Sequence, residues 1–123
     1  MSREIKFRAW GKNSKEYLGD SSQGFNMEEL SRLAGQFKNW ELEQYTGLTD
    51  KNGKEIYEGD IVKYKLYADS RLNYICFDEV FYSTISGAFM VGDEDNIRTL
   101  DCLTNIEVIG NIHESPELLG GEE

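Results

Sequence analysis

The chain has one histidine, His113, two cysteines, Cys76 and Cys102, and a set of acidic and amide-rich turns. A histidine acting as general acid or base needs a nucleophile and an orienting carboxylate beside it. Glu114 is the nearest acid in sequence, but neighbours on a strand point to opposite faces. The cysteines lie 26 residues apart with no C-x-x-C pair, so with a single histidine they do not compose a zinc site. Both are read as buried free thiols. Asp50-Lys51-Asn52-Gly53 resembles part of a calcium loop. With Gly53 at the sixth position, however, the first falls on Leu48 and the twelfth on Gly59, which removes the closing acid. Turn chemistry explains the segment better, with Asp50, Asn52 and Gly53 kept as a candidate binding loop. Asp93, Glu94, Asp95 and Asp101 form a candidate acidic face, read first as a solvated loop. There is no G-x-S-x-G, P-loop or G-x-G-x-x-G motif. The expectation is no catalytic residue, no cofactor and no metal.

Charge narrows the partners. The 123 residues carry 13 Lys and Arg against 23 Asp and Glu, a net charge of −10. Residues 1–65 are balanced, so the whole excess falls in residues 66–123, where only Arg71 and Arg98 are basic. Binding to duplex DNA needs clustered Lys and Arg, and is disfavoured. A membrane surface is disfavoured for the same reason. Single-stranded nucleic acid would need aromatics interleaved with bases. Lys63-Tyr64-Lys65-Leu66-Tyr67 and, more weakly, Lys6-Phe7-Arg8 have that form, though strand alternation also produces it. No window approaches a membrane span and the start has no apolar leader, so a soluble cytoplasmic protein is expected.

The elements follow from periodicity. Residues 4–10 alternate, with Ile5, Phe7 and Ala9 on the face expected to be apolar and Lys6 and Arg8 on the other. Lys15–Leu18 reads as a returning strand. Asn26 is a good N-cap for a helix over Met27–Phe37, whose Met27, Leu30, Leu33, Ala34 and Phe37 share a face. Strands are expected over 40–46, where Leu42 and Tyr45 are candidates for burial, and over 60–65, 74–81, 88–91 and 105–113. Gly47, Gly53 and Gly59 mark the special backbone positions of the turns between. Pro116 is expected to end regular structure. The predicted core is Phe7, Trp10, Tyr45, Ile61, Val62, Ile106, Val108 and Ile112. The fold class is mainly β, α+β by count: short antiparallel strands in small barrel-like sheets with one short helix near 27–37. A single domain spans 3–119, with two β subdomains, 3–46 and 56–114, joined by the 47–55 loop as its finer division. Residues 120–123 are read as a flexible tail.

Three blocks carry a resemblance. Arg-Glu-Ile-Lys-Phe-Arg-Ala-Trp (3–10), the run from Gln44 to Val62, and Ile-Gly-Asn-Ile-His-Glu-Ser-Pro-Glu-Leu-Leu (109–119) are similar to the YopX family of phages, prophages and mobile elements. Residues 11–43 and 66–104 look like its variable parts. The resemblance implies a mostly β intracellular protein of a phage or its bacterial host, and supplies no catalytic residues. The resulting expectation is a phage or prophage accessory protein. It would be a non-enzymatic module that binds an unknown host or phage protein, or itself, through its acidic C-terminal half. A nucleic-acid-binding protein or an undetected enzyme is the alternative. The middle block reads as a structural hub, with a binding edge as its functional alternative.

Overall fold

The computed structural model describes residues 4–18, 24–33, 39–67, 73–92, 97–103 and 105–120. The expected acidic residues 93–95, the helical positions 34–37 and residues 121–123 of the expected tail lie outside them, while Gly120, also read as tail, closes a short helix.

Three antiparallel sheets make the fold. The first has the order β2 (Phe25–Asn26), β1 (Lys6–Gly11), β3 (Trp40–Thr49), β4 (Glu55–Tyr57). The second is β10 (Glu107–Asn111), β5 (Asp60–Tyr67), β6 (Asn73–Glu79). The third is β7 (Phe81–Ser83), β8 (Ala88–Val91), β9 (Arg98–Thr99). No closed barrel forms among the described residues. Beyond Trp10, Lys15–Leu18 returns along β1 through a bridge at Tyr17.

Helix α1 (Met27–Leu33) starts where the sequence places it. Asn26 Oδ1 accepts the Glu29 N–H, and Glu29 Oε1 accepts that of Asn26. The pair is a capping box, which satisfies two donors that would otherwise lack partners. Its first residue, Met27, is exposed rather than buried in an apolar stripe. A second short helix, α2 (Glu117–Gly120), follows Pro116, contrary to the expectation that proline ends regular structure there. Proline has no N–H to donate, and the first turn of a helix asks for none.

The main core cluster draws on all three sheets. Val62 and Tyr64 of β5 meet Ile56, Val80, Val91, Leu100 and Ile106. Leu100 comes from a 3-10 turn over Leu100–Cys102. The expected strand 74–81 breaks at Val80. Its N–H donates to the Asp60 carbonyl, and its own carbonyl accepts the Gly59 N–H. Trp10, Tyr45, Ile61, Val62 and Ile106 are buried as expected. Phe7, Val108 and Ile112 are only half-buried. Val108 lies beside a bulge, where β10 pairs Val108 with Val62 but Gly110 with Ile61. A bulge re-aims the side chains around it. Gly110 is required by close approach, since a Cβ there would lie 2.8 Å from Ser115 in the turn before α2.

Two further expectations are corrected. Neither cysteine is fully buried: Cys102 is exposed on the 3-10 turn, and Cys76 is half-buried against the core. β1 turns both of its faces inward rather than one, with Ala9 buried as well as Arg8, and in β3 Tyr45 is buried but Leu42 is not. Ile5 and Leu42 are exposed, whereas Arg8 and Glu43 are buried. The reason is electrostatic, and lies in the site described next.

Candidate functional site

Arg8 and Glu43 are register partners across β1 and β3. Arg8 Nε donates to Glu43 Oε1 at 2.7 Å, and Nη2 lies 2.8 Å from Asp60 Oδ1. Nη2 also donates to the Glu58 carbonyl at 3.3 Å. The guanidinium stands 4.7 Å from the Tyr17 ring centroid and 4.9 Å from that of Tyr57. The side chains of Arg8, Glu43 and Asp60 are 6%, 5% and 2% exposed. Burying charges costs several kcal/mol each unless pairing and hydrogen bonds compensate. Here an arginine fork supplies that pairing to two carboxylates.

The remaining valences close the cluster. Tyr17 Oη donates to Glu43 Oε1 at 3.0 Å, and His113 Nε2 lies 2.7 Å from Glu43 Oε2. The His113 ring stacks on Trp10, with centroids 4.3 Å apart and planes at 7°. Asn111 shapes the turn that delivers the histidine, because its Oδ1 accepts the N–H groups of His113 and Glu114. Asp60 Oδ2 accepts the Tyr57 N–H, which tightens the β4–β5 connection. Gly59 sits in that connection at φ +85°, and a Cβ there would lie 2.8 Å from Glu43 Oε2. Among the described residues no buried side-chain N or O lacks a hydrogen-bond partner.

Electrostatics follow from this geometry. Burial pulls the Arg8 guanidinium down, but Asp60 and Glu43 outweigh it and hold it above its ordinary value. Burial pushes the Tyr17 phenol well up, and Glu43 adds to the effect. Beside the cluster a recess of about 150 Å³ is walled by Glu41, Glu43, Glu58 and Glu79, with Phe81 and Ile112. Burial raises the Glu79 carboxyl, and Glu43 and Glu41 raise it further, against His113. The recess therefore favours a cation. No group of three or more His, Cys, Asp or Glu among the described residues is arranged to hold a metal ion.

The candidate residues read from sequence fall elsewhere. Asp50 is buried, with Oδ1 accepting the N–H groups of Asn52 and Lys54 and Oδ2 accepting that of Val108. Burial raises this carboxyl, but the three backbone donors outweigh it and hold it below its ordinary value. Asn52 and Gly53 stand exposed at the loop tip. Asp101 is exposed on the 3-10 turn. It lines a cleft of about 350 Å³ with Tyr82 and Phe89 of the third sheet and Leu48 of β3. Sequence reasoning missed Arg8 as an interior residue and left Glu43 among the variable parts. A signal was present: Lys6 and Arg8 alternate on one strand, Glu41 and Glu43 on another. Opposite charges at matching spacing favour cross-strand pairing.

A β-dominated protein of three small sheets, the first two tied together by a buried ionic hub, is the class this geometry defines. The family profile described as YopX protein matches residues 6–120, and the chain belongs to that family. Arg8 and Trp10 come from the first block of resemblance, Tyr57 to Asp60 from the second, and Asn111 and His113 from the third. No protein with a curated description matches the chain. Among solved structures it is similar to the crystal structure of protein EF1440 from Enterococcus faecalis. The two are 30% identical with a TM-score of 0.60, over 96% of this chain and 99% of that one. No helix among the described residues is long and apolar enough to cross a membrane.

Proposed function

We propose that the chain is a non-enzymatic protein-binding module, working in the bacterial cytoplasm as an accessory protein of a phage or prophage. The observation that carries the reading is the β7–β8 hairpin. Ile85, in its turn, is 97% exposed, and Tyr82 on β7 is 44% exposed. Ile97, just before β9, adds a third exposed apolar side chain to the same sheet. Large apolar side chains held on a rigid hairpin favour burial against another protein. The cleft at the foot of this hairpin offers Phe89 and Leu48 as apolar wall and Asp101 as an acid. The acidic recess beside Glu79 favours a basic group as well. The partner chemistry that fits is an apolar pocket with basic side chains around it.

The absence of catalysis is part of the proposal. Glu43 spends its oxygens on Arg8, Tyr17 and His113, so it anchors the fold instead of activating a reacting group. Photo-crosslinking in host cells tests the reading. A photoreactive residue at position 85 should yield a discrete protein adduct, and one at position 13, exposed in the turn after β1, should not. Equal adducts from both positions, or none from position 85, would count against the hairpin.

A further inference from the structure

A second surface carries the opposite charge. At the start of β10, on the outer face of the second sheet, lies a cleft of about 330 Å³. Lys63 and Lys65 of β5 form its base, Ile75 of β6 one side, and Lys51 with Glu107 the other. Lys65 is the register partner of Ile75, and Lys63 of Glu107. Neither Lys63 nor Lys65 is in an ion pair among the described residues. Lys51 is in one, with Glu107 at 3.6 Å, and both side chains are partly exposed. Such a pair contributes at most about 1 kcal/mol, so an incoming carboxylate competes for it.

We infer that this cleft receives an extended acidic peptide segment of a partner protein, with acids at alternate positions. Lys63 and Lys65 are two residues apart on one strand, hence about 6.6 Å apart. Side chains two apart on an extended peptide repeat at the same distance, so two carboxylates match the two ammonium groups. Ile75, 57% exposed and the register partner of Lys65, offers an apolar surface beside it to the methylene stem of the acid that meets Lys65. Nucleic acid fits less well. Tyr64 lines the cleft but is 2% exposed and donates its hydroxyl to Asp78 Oδ2 at 2.7 Å, so it offers no ring face for stacking. The chain's net charge of −10 opposes any anion at a distance. At physiological salt that repulsion is screened beyond about 8 Å, and the contact lysines dominate.

Fluorescence anisotropy at physiological salt tests the proposal. The probe is a labelled five-residue peptide with glutamate at positions two and four and threonine elsewhere. Two competitors are used: a peptide with lysine in place of glutamate, and a single-stranded oligothymidylate. Binding of the acidic probe is expected. It should weaken about tenfold, or about 1.4 kcal/mol, in each of Lys63→Glu and Lys65→Glu. Ile75→Asp, on the neighbouring strand, should weaken it as well, and circular dichroism checks that each variant is folded. The lysine peptide should not compete. No binding of the acidic probe, binding unchanged in the folded lysine variants, or displacement by oligothymidylate would each overturn the assignment.

Discussion

Arg8 shows how far a single residue's role depends on what faces it. On β1 it occupies the position that alternation assigns to solvent, yet it is buried between two carboxylates and two aromatic rings. Removing it strands Glu43 and Asp60 without their cation. Breaking a buried ion pair typically costs about 3–5 kcal/mol. Arg8→Ala should therefore lower the urea midpoint by a corresponding amount at unchanged slope. Lys63→Ala, on an exposed position, should stay within about 0.5 kcal/mol of the parent. Asp50 supports a prediction with a pH signature. Its carboxylate satisfies three backbone N–H groups, and each left unpaired costs roughly 1–3 kcal/mol. The folded carboxyl lies below its ordinary value, so its contribution is full above the unfolded value of about 3.9. It is lost as pH falls through the folded value. The stability gap between the parent and Asp50→Ala should be constant from neutral pH down to about pH 5, then narrow on acidification. A gap that widened toward low pH would reverse the sign of this argument.

Elements were legible in the sequence where local chemistry decides them. The capping box at Asn26 and Glu29 needs only four residues, and the helix starts where those residues put it. Asn26→Ala should cost about 1 kcal/mol, and amide exchange should rise over residues 27–33 before it rises elsewhere. Gly47, Gly53 and Gly59 do take positive φ. What stayed hidden is what depends on distant partners. Periodicity finds the apolar face of β1, with Ala9 buried on it, but not that the Arg8 face is buried too, because that depends on Glu43, 35 residues away. The bulge beside Val108 and the break at Val80 are likewise set by the strands they meet. Val62, fully buried, should therefore lose more stability on change to alanine than half-buried Val108. Urea midpoints of Val62→Ala and Val108→Ala give that order directly.

At the scale of the molecule, the three blocks shared with the family meet at one buried point, and the surfaces left over differ in sign. Lys6 and Arg8 are committed to carboxylates, so they cannot join Lys63 and Lys65 in a four-charge patch. Affinity for random-sequence duplex DNA should accordingly be undetectable at physiological salt, a result that anisotropy titration would give. Had the duplex bound tightly there, the nucleic-acid reading would replace the protein-binding one. That surface roles were barely legible has a physical cause. A turn such as Ser83–Gly87 is specified by backbone chemistry, which says nothing about whether its isoleucine will be covered. The central claim is that the buried hub is scaffold and the β7–β8 hairpin is the working surface. The most direct measurement is affinity capture of host or phage proteins by the parent and by Ile85→Asp, at matched urea midpoints. The expected result is a partner retained by the parent and lost from the variant. The same partner retained in full by Ile85→Asp would contradict it.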